Sequence, residues 1–406
     1  MKFNKWTIGL AAAGVVSLAS AARAEEKASS VMTALSSTTL SGYVDTSAQW
    51  NFGTGNANNP PYKFGGASKA DGFNLNVVQL RLEKPLDEAE WAAGYKVDLW
   101  AGPDANVLGT QSLGVKGDFA VRQAYVALRA PFQNGIDFKV GVFDSILGYE
   151  SVEGPNNPNY TRSYGHSIEP QTHTGLLASY RFNDNVSASV GVANTYGPAI
   201  NERAFPVTPG DDNHEAESYK TYMASIALTA PDSFGFLAGS TLYGGFVNGF
   251  NDHQAVRTAP PGPSPYDEGN STSYYLGATV ATPVTGLRTG IAWDYLDIHS
   301  RHADIWSVAG YASYQATEKL SLHGRAEYFK DKGHQGDGEF LFGSTPAEVM
   351  ALTATAQYDL WKNVLTRVEL RWDHSLKGNE VFGGSDPGTP NSENAWMLGA
   401  NVVYKF

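Results

Sequence analysis

From Thr38 onward the chain is written in short runs in which apolar and polar residues alternate at every second position, each bounded by clusters of glycine, proline, asparagine or aspartate. Period-two alternation marks a strand with one face in an apolar environment and the other in a polar one. Sixteen such runs can be marked: 38–52, 72–84, 90–101, 118–130, 135–149, 171–182, 185–196, 216–230, 239–251, 271–282, 286–298, 304–316, 319–330, 347–360, 363–375 and 393–406. Most exceed the roughly 9–11 residues that a tilted strand needs to cross a bilayer.

The sidedness can be read directly. In the fifteenth run Val364, Thr366, Val368, Leu370 and Trp372 share one face, and Arg367, Glu369, Arg371 and Asp373 the other. In the thirteenth, Leu320, Leu322, Ala326 and Tyr328 alternate with His323, Arg325 and Glu327. The fourteenth, eleventh, fifth and third repeat the pattern, with Lys96/Asp98 and Asp137/Lys139 as polar pairs in the last two. The fourth run breaks it, because Arg122 falls on the face assigned to lipid, and the ninth is too glycine-rich to assign.

Connection lengths add a second regularity. Gaps after odd runs are mostly long (53–71, 102–117, 150–170, 197–215, 252–270, 331–346, 376–392), whereas those after even runs are mostly tight turns such as Asn183–Asp184 and Trp361–Lys362. Long outside loops and short periplasmic turns produce this alternation in a transmembrane barrel. The short gap at 299–303 and the longer one at 231–238 depart from it. Aromatics at run ends, among them Trp91, Tyr180, Tyr314, Trp361, Trp372, Trp396, Tyr404 and Phe406, suit the two membrane interfaces.

Residues 1–24 read as a secretory signal: Lys2 and Lys5, an apolar stretch from Ile8 to Ala22, and the small-x-small site Ala22-Arg23-Ala24. No later segment approaches the length of a membrane-spanning helix. Residues 25–37 then form a short periplasmic segment and 38–406 the barrel. The mean hydropathy of −0.29 is low for a membrane protein. Alternation explains it, since lipid-facing and lumen-facing residues cancel in the average. Without cysteine the chain has neither disulfides nor thiolate metal sites. Past the signal, 26 basic residues stand against 41 acidic ones, which argues against a nucleic-acid partner.

The stretches Leu40–Asn51, Gly141–Glu150 (GVFDSILGYE) and Asn159–Gly175 (NYTRSYGHSIEPQTHTG) resemble a family of Gram-negative outer-membrane porins, the OmpL-like beta-barrel porins, and the likeness runs over essentially the whole mature chain. The resemblance implies an outer-membrane barrel with a pore function and names no solute. It also gives Phe406 the expected role of an assembly signal, because a carboxy-terminal aromatic on the last strand resembles what barrel-assembly machinery reads in bacterial barrels.

Enzyme constellations are missing from the sequence: it has no phosphate-binding loop, no H-E-x-x-H and no G-x-S-x-G elbow. His323 shares a face with Arg325 and Glu327, but neighbours on one strand point along the wall and read as a charge ladder, not a catalytic set. His166, His214, His253, His299, His302 and His334 fall in outside segments, where solvation is the simpler account than a metal. The clusters Asp211/Asp212/Glu215 and Asp331/Asp337/Glu339 lack the spacing of a calcium loop, so neither cofactor nor metal is expected.

The third outside connection, Glu150–Pro170, is polar and proline-broken. In sixteen-stranded porins the third loop folds inward and narrows the channel, and its position in strand order matches. Glu150, Glu153, Arg162, His166 and Glu169 are therefore the expected constriction residues. The pore-lining wall is expected to carry His323, Arg325, Glu327, Arg367, Glu369 and Arg371. The three loop glutamates should face these basic side chains across the narrowest section, with a mild cation preference from the overall charge unless the arginines reverse it.

The expected fold is thus all-β: a transmembrane antiparallel β-barrel of sixteen strands with an inward-folded third outside loop. The expected function is passive diffusion of small hydrophilic solutes and ions through a water-filled lumen. Alternatives are a channel specific for a sugar or other nutrient, and a non-conducting structural or adhesive surface barrel. Expected partners are outer-membrane lipid and lipopolysaccharide, the barrel-assembly machinery and, as in many such porins, two further copies in a homotrimer.

Overall fold

The computed structural model describes residues 31–32, 37–53, 55–87, 89–111, 117–204, 219–250, 270–299, 303–332, 341–342 and 347–406. The signal sequence, Asp211, Asp212, Glu215, Asp337, Glu339 and the histidines 214, 253, 302 and 334 lie outside them.

A two-residue strand, β1 (Val31–Met32), precedes sixteen long ones: β2 (Thr39–Phe52), β3 (Gly72–Lys84), β4 (Ala92–Ala101), β5 (Phe119–Ala130), β6 (Ile136–Asp144), β7 (Thr172–Arg181), β8 (Val186–Ala193), β9 (Thr221–Thr229), β10 (Thr241–Phe250), β11 (Asn270–Ala281), β12 (Leu287–Ile298), β13 (Ala303–Gln315), β14 (Leu320–Asp331), β15 (Ala347–Trp361), β16 (Val364–Ser375) and β17 (Asn394–Lys405). Strands β2 to β17 each pair antiparallel with their chain neighbours, and β17 closes the ring on β2 from Trp396↔Phe52 to Lys405↔Tyr43. Among the described residues each long strand thus has a neighbour on both sides, as hydrocarbon requires of any sheet that spans it. Beyond the end of β17, β1 takes up the free edge of β2 through Val31↔Leu40 and Met32↔Thr39.

Burial follows the alternation. On β16 Val368 and Leu370 are exposed on the outer face while Arg367, Glu369, Arg371 and Asp373 are buried inside. Apolar side chains outside and charges inside is an inverted pattern for a water-soluble protein and the expected one for a barrel in lipid.

Two places correct the sequence reading of the strands. Opposite Asp98 and Leu99 of β4, the β5 residues Gln123 and Val121 leave Arg122 as an extra, unmatched residue. Such a bulge turns two successive side chains to one side. Both Arg122 and Gln123 are buried inside the barrel, and Arg122 is not on the lipid face. A similar bulge at Asn76 of β3 adds Asn76 and Val77 to the interior. The other correction is the end of the fifth run: β6 stops at Asp144, and Ile146 and Leu147 are buried inside the barrel.

The inner face is also less uniformly polar than alternation suggests. Leu296 and Ile298 of β12, Ile305 of β13, Phe329 of β14 and Val349 of β15 form an apolar cluster that buries Tyr164, Ile168 and Phe382 from the connecting segments. A second interior cluster gathers Tyr43, Val77, Trp100, Leu108 and Val152.

Candidate functional site

The connection between β6 and β7, residues 145–171, contains the helical turn Tyr164–Ile168, begun by Ser163, whose hydroxyl accepts from the His166 amide. Sequence alone disfavours a longer element here, because prolines at 155, 158 and 170 interrupt the backbone ladder. Its peptide groups therefore need partners elsewhere, and they find them on inward-facing charges of the wall.

Glu369 of β16 accepts from the amides of Tyr160 (2.6 Å) and Thr161 (2.9 Å), from the Thr161 hydroxyl (2.6 Å) and from Thr355 of β15 (2.7 Å). Glu327 of β14 accepts from the Tyr164 amide at 2.7 Å. Arg325 donates to the carbonyls of Thr161 (2.8 Å) and Arg162 (3.1 Å), Arg371 to that of Arg162 (2.7 Å), and Arg367 to those of Gly154 and Asn157. Tyr164 donates its hydroxyl to Asp373 at 2.7 Å. These wall charges thus grip the segment by its backbone. His323 stands apart, with Nδ1 2.9 Å from the Ser313 hydroxyl.

Glycines on the wall make room for the bulky side chains that come with it. A Cβ at Gly290 of β12 would stand 2.1 Å from the Tyr149 hydroxyl, and one at Gly399 of β17 would stand 3.2 Å from the Tyr160 ring. Tyr149 itself stacks on Tyr311 of β13 with ring centres 4.0 Å apart. On the other side of the segment, Tyr62 and Phe64 from the β2–β3 connection cover it: the Arg371 guanidinium lies 4.1 Å from the Tyr62 ring and that of Arg162 5.6 Å from Phe64.

The three loop glutamates go to different partners, which departs from the expected arrangement. Glu150 alone meets the predicted wall, accepting from Arg325 at 2.8 Å and from the Ser163 amide at 2.9 Å. Glu153 turns to β3 and β5, where it is bound by Arg81 and lies 3.2 Å from Arg122. Burial alone would raise its carboxyl, but Arg81, Arg122 and Lys96 together hold it well below the usual carboxylate range. Glu169 lies beside another acid, Asp294 of β12. Burial, then the charge of Asp294, pushes its carboxyl well above that range. His166, 3.3 Å from Glu169, is driven well below its ordinary value by burial and by Arg162, Lys63 and Arg325. Arg162 donates to the Val152 carbonyl at 2.9 Å.

Sequence reasoning puts Lys96 and Asp98 on a polar face but leaves the opposite half of the wall out of the candidate site. Asp98 of β4 is held by Arg81 (2.6 and 2.8 Å), Arg122 (2.6 Å) and Gln123 (3.0 Å), and Arg122 also binds Asp144. Arg81 was open to detection, since it alternates with Leu80 and Leu82, whereas the bulge concealed Arg122. Between this half of the wall and the β6–β7 segment lies a cavity of about 400 Å³. It runs from Ser41 and Lys405 past Arg81, Lys96 and Lys139 to Glu169 and Gln171.

A closed sixteen-stranded barrel with lipid-compatible outer faces, and with a long connection bound to its inner wall beside a polar cavity, has the architecture of an outer-membrane porin. The chain belongs to the family described as Putative beta-barrel porin-2, OmpL-like, whose pattern it matches over residues 37–406. Curated protein sequences include no match. Among solved structures it is similar to the outer membrane channel DcaP of Acinetobacter baumannii (12% identity, TM-score 0.56, covering 91% of this chain and 97% of that one). It is similar to the same degree to an anion-selective porin from Comamonas acidovorans (12%, 0.56, 91% and 99%). The outer membrane protein OmpT of Vibrio cholerae also resembles it (13%, 0.53, 93% and 100%). At these identities the likeness speaks for the fold.

Proposed function

We propose that the protein is a narrow outer-membrane channel through which small hydrophilic solutes and ions diffuse passively, and that it catalyses no reaction. The observation that carries this reading is the polar cavity of about 400 Å³ left between the β6–β7 segment and the wall formed by β2 to β7. A segment fixed to β12–β17 narrows the barrel without filling it, and so acts as the constriction, with Glu150, Glu153 and Glu169 on the segment and Arg81 and Arg122 on the opposite wall. Single-channel recording of the purified protein in planar bilayers tests this: steady steps are expected, smaller than an unobstructed sixteen-strand barrel would give.

The solute-specific alternative has an observation of its own. Apolar clusters inside the barrel and a segment held by buried ion pairs make a shaped passage, and solute-dependent block of the steps would favour this reading. Silent bilayers would instead favour a structural barrel. Export by a signal cleaved after Ala24, insertion by the assembly machinery through Phe406, contact with lipopolysaccharide and a homotrimeric state complete the proposal. One protein of similar fold, OmpT of Vibrio cholerae, is solved in a trimer form (12% identity, TM-score 0.53, covering 91% of this chain and 99% of that one).

A further inference from the structure

The charges along the cavity are not equally free. Arg81 and Arg122 are committed to Asp98, Asp144 and Glu153, and Glu150 to Arg325. Asp98 already accepts from both arginines and from Gln123. Lys96 of β4 accordingly comes no nearer than 4.0 Å to Asp98 or to Glu83, too far for a hydrogen bond. Lys139 of β6 has no carboxylate within ion-pair distance among the described residues, and its ammonium lies over the Tyr125 ring, 5.1 Å from the centre.

The strand register brings these residues together. Lys96 is directly opposite Tyr125 of β5, and Lys139 is opposite Ala127, the next inward position along the same strand. Lys96, Lys139 and Tyr125 all line the cavity. Tyr43 lines it too, and its hydroxyl is buried without a hydrogen-bond partner among the described residues. Two ammonium groups with unused donors beside an aromatic face form a cationic patch in a chain whose total charge is negative.

We propose that Lys96, Lys139 and Tyr125 form a subsite for small organic anions, in which a carboxylate accepts from the two ammonium groups while the body of the solute lies on the Tyr125 ring. A carboxylate is the complementary partner because it accepts charge-assisted hydrogen bonds from both lysines at once. A cavity of about 400 Å³ holds a molecule of benzoate size with room for water. As a step in permeation the subsite rests on the channel reading; as a binding site it does not.

The test uses benzoate as the probe and the full-length protein in detergent, with binding measured by calorimetry. The wild type is expected to bind benzoate, the Lys96→Gln/Lys139→Gln variant at least tenfold more weakly, and the Lys96→Arg/Lys139→Arg variant to retain binding. Heat-modifiable migration confirms that each variant is folded, and the arginine variant guards against a change in packing. Absence of binding to the wild type, or equal binding by the glutamine variant, overturns the subsite. In bilayers the same glutamine variant should shift the zero-current potential in a potassium chloride gradient toward cations. Benzoate binding with silent bilayers would sink the channel reading and leave the subsite standing, whereas steady conductance with no benzoate binding would do the reverse.

Discussion

At the scale of single residues, the interior depends on charges whose partners are peptide groups. Glu369 serves four donors from the segment and its neighbouring strand, so Glu369→Ala strands them in a buried place. Leaving a buried donor without its acceptor costs about 1–3 kcal/mol for each group. The expected result is release of the segment with the strands intact: trypsin cuts at Arg162, protected in the wild type, while heat-modifiable migration is unchanged. A second expectation concerns Glu169. Its folded carboxyl titrates above the unfolded reference of about 4.5, so the folded state holds the proton longer. That contribution is complete below the unfolded value and is lost as pH rises through the folded one. A rise in pH should therefore loosen the segment by charging Glu169 beside Asp294 and Glu150, while Lys63, whose ammonium burial pushes down to about 7, loses the charge that would offset it and His166 stays neutral. Glu169→Gln should flatten this trend when trypsin protection is followed against pH; an unchanged slope would show that Glu169 is not its source. The inward side of Arg325, Arg367, Glu369 and Arg371 could be read from alternation because parity survives along β14 and β16. Their partners could not, since alternation gives a side chain's face and says nothing of what comes within 3 Å of it. Arg122 was misassigned because one inserted residue reverses parity.

At the scale of the strand, the outer faces make a separate prediction. Arginine at Leu370 of β16, exposed on the lipid face, should destabilise the barrel by about 2–4 kcal/mol if it sits near the bilayer midplane. Urea titration in lipid measures this, and a Leu370→Arg barrel as stable as the wild type would contradict the assigned register. The last strand offers another contrast. Phe406 exchanges both backbone hydrogen bonds with Gly42, and its ring lies where a Gly42 side chain would be, whereas Lys405 reaches inward to the Pro155 carbonyl. Phe406→Asp is expected to cut the yield of assembled, heat-modifiable barrel far more than Lys405→Asp, and equal yields would remove its role. Strand number and most boundaries were legible because a tilted lipid-facing strand needs both alternation and turn residues. The end of β6 was not: Ile146 and Leu147 continue an apolar pattern whose environment is the barrel's own interior and not lipid. For the same reason the apolar inner faces of β12 to β15 could not be told from lipid-facing ones.

At the scale of the molecule, the barrel is divided lengthwise: one half of the wall, around β12–β17, is occupied by the β6–β7 segment, and the other, β2–β7, borders the cavity proposed as the water path. The likeness to known porins was legible in the sequence, while this division was not, because it depends on contacts between residues such as Glu150 and Arg325 that lie 175 positions apart. The absence of native cysteine makes the division directly measurable. Single cysteines at Ser41 and Tyr125 face the cavity, whereas Thr353 and Ala351 of β15 are buried on the occupied side. A charged methanethiosulfonate reagent applied during single-channel recording is predicted to reduce the current through the Ser41→Cys and Tyr125→Cys variants and to leave Thr353→Cys and Ala351→Cys unaffected. Block at Thr353 or Ala351, or at none of the four positions in a conducting protein, would contradict it.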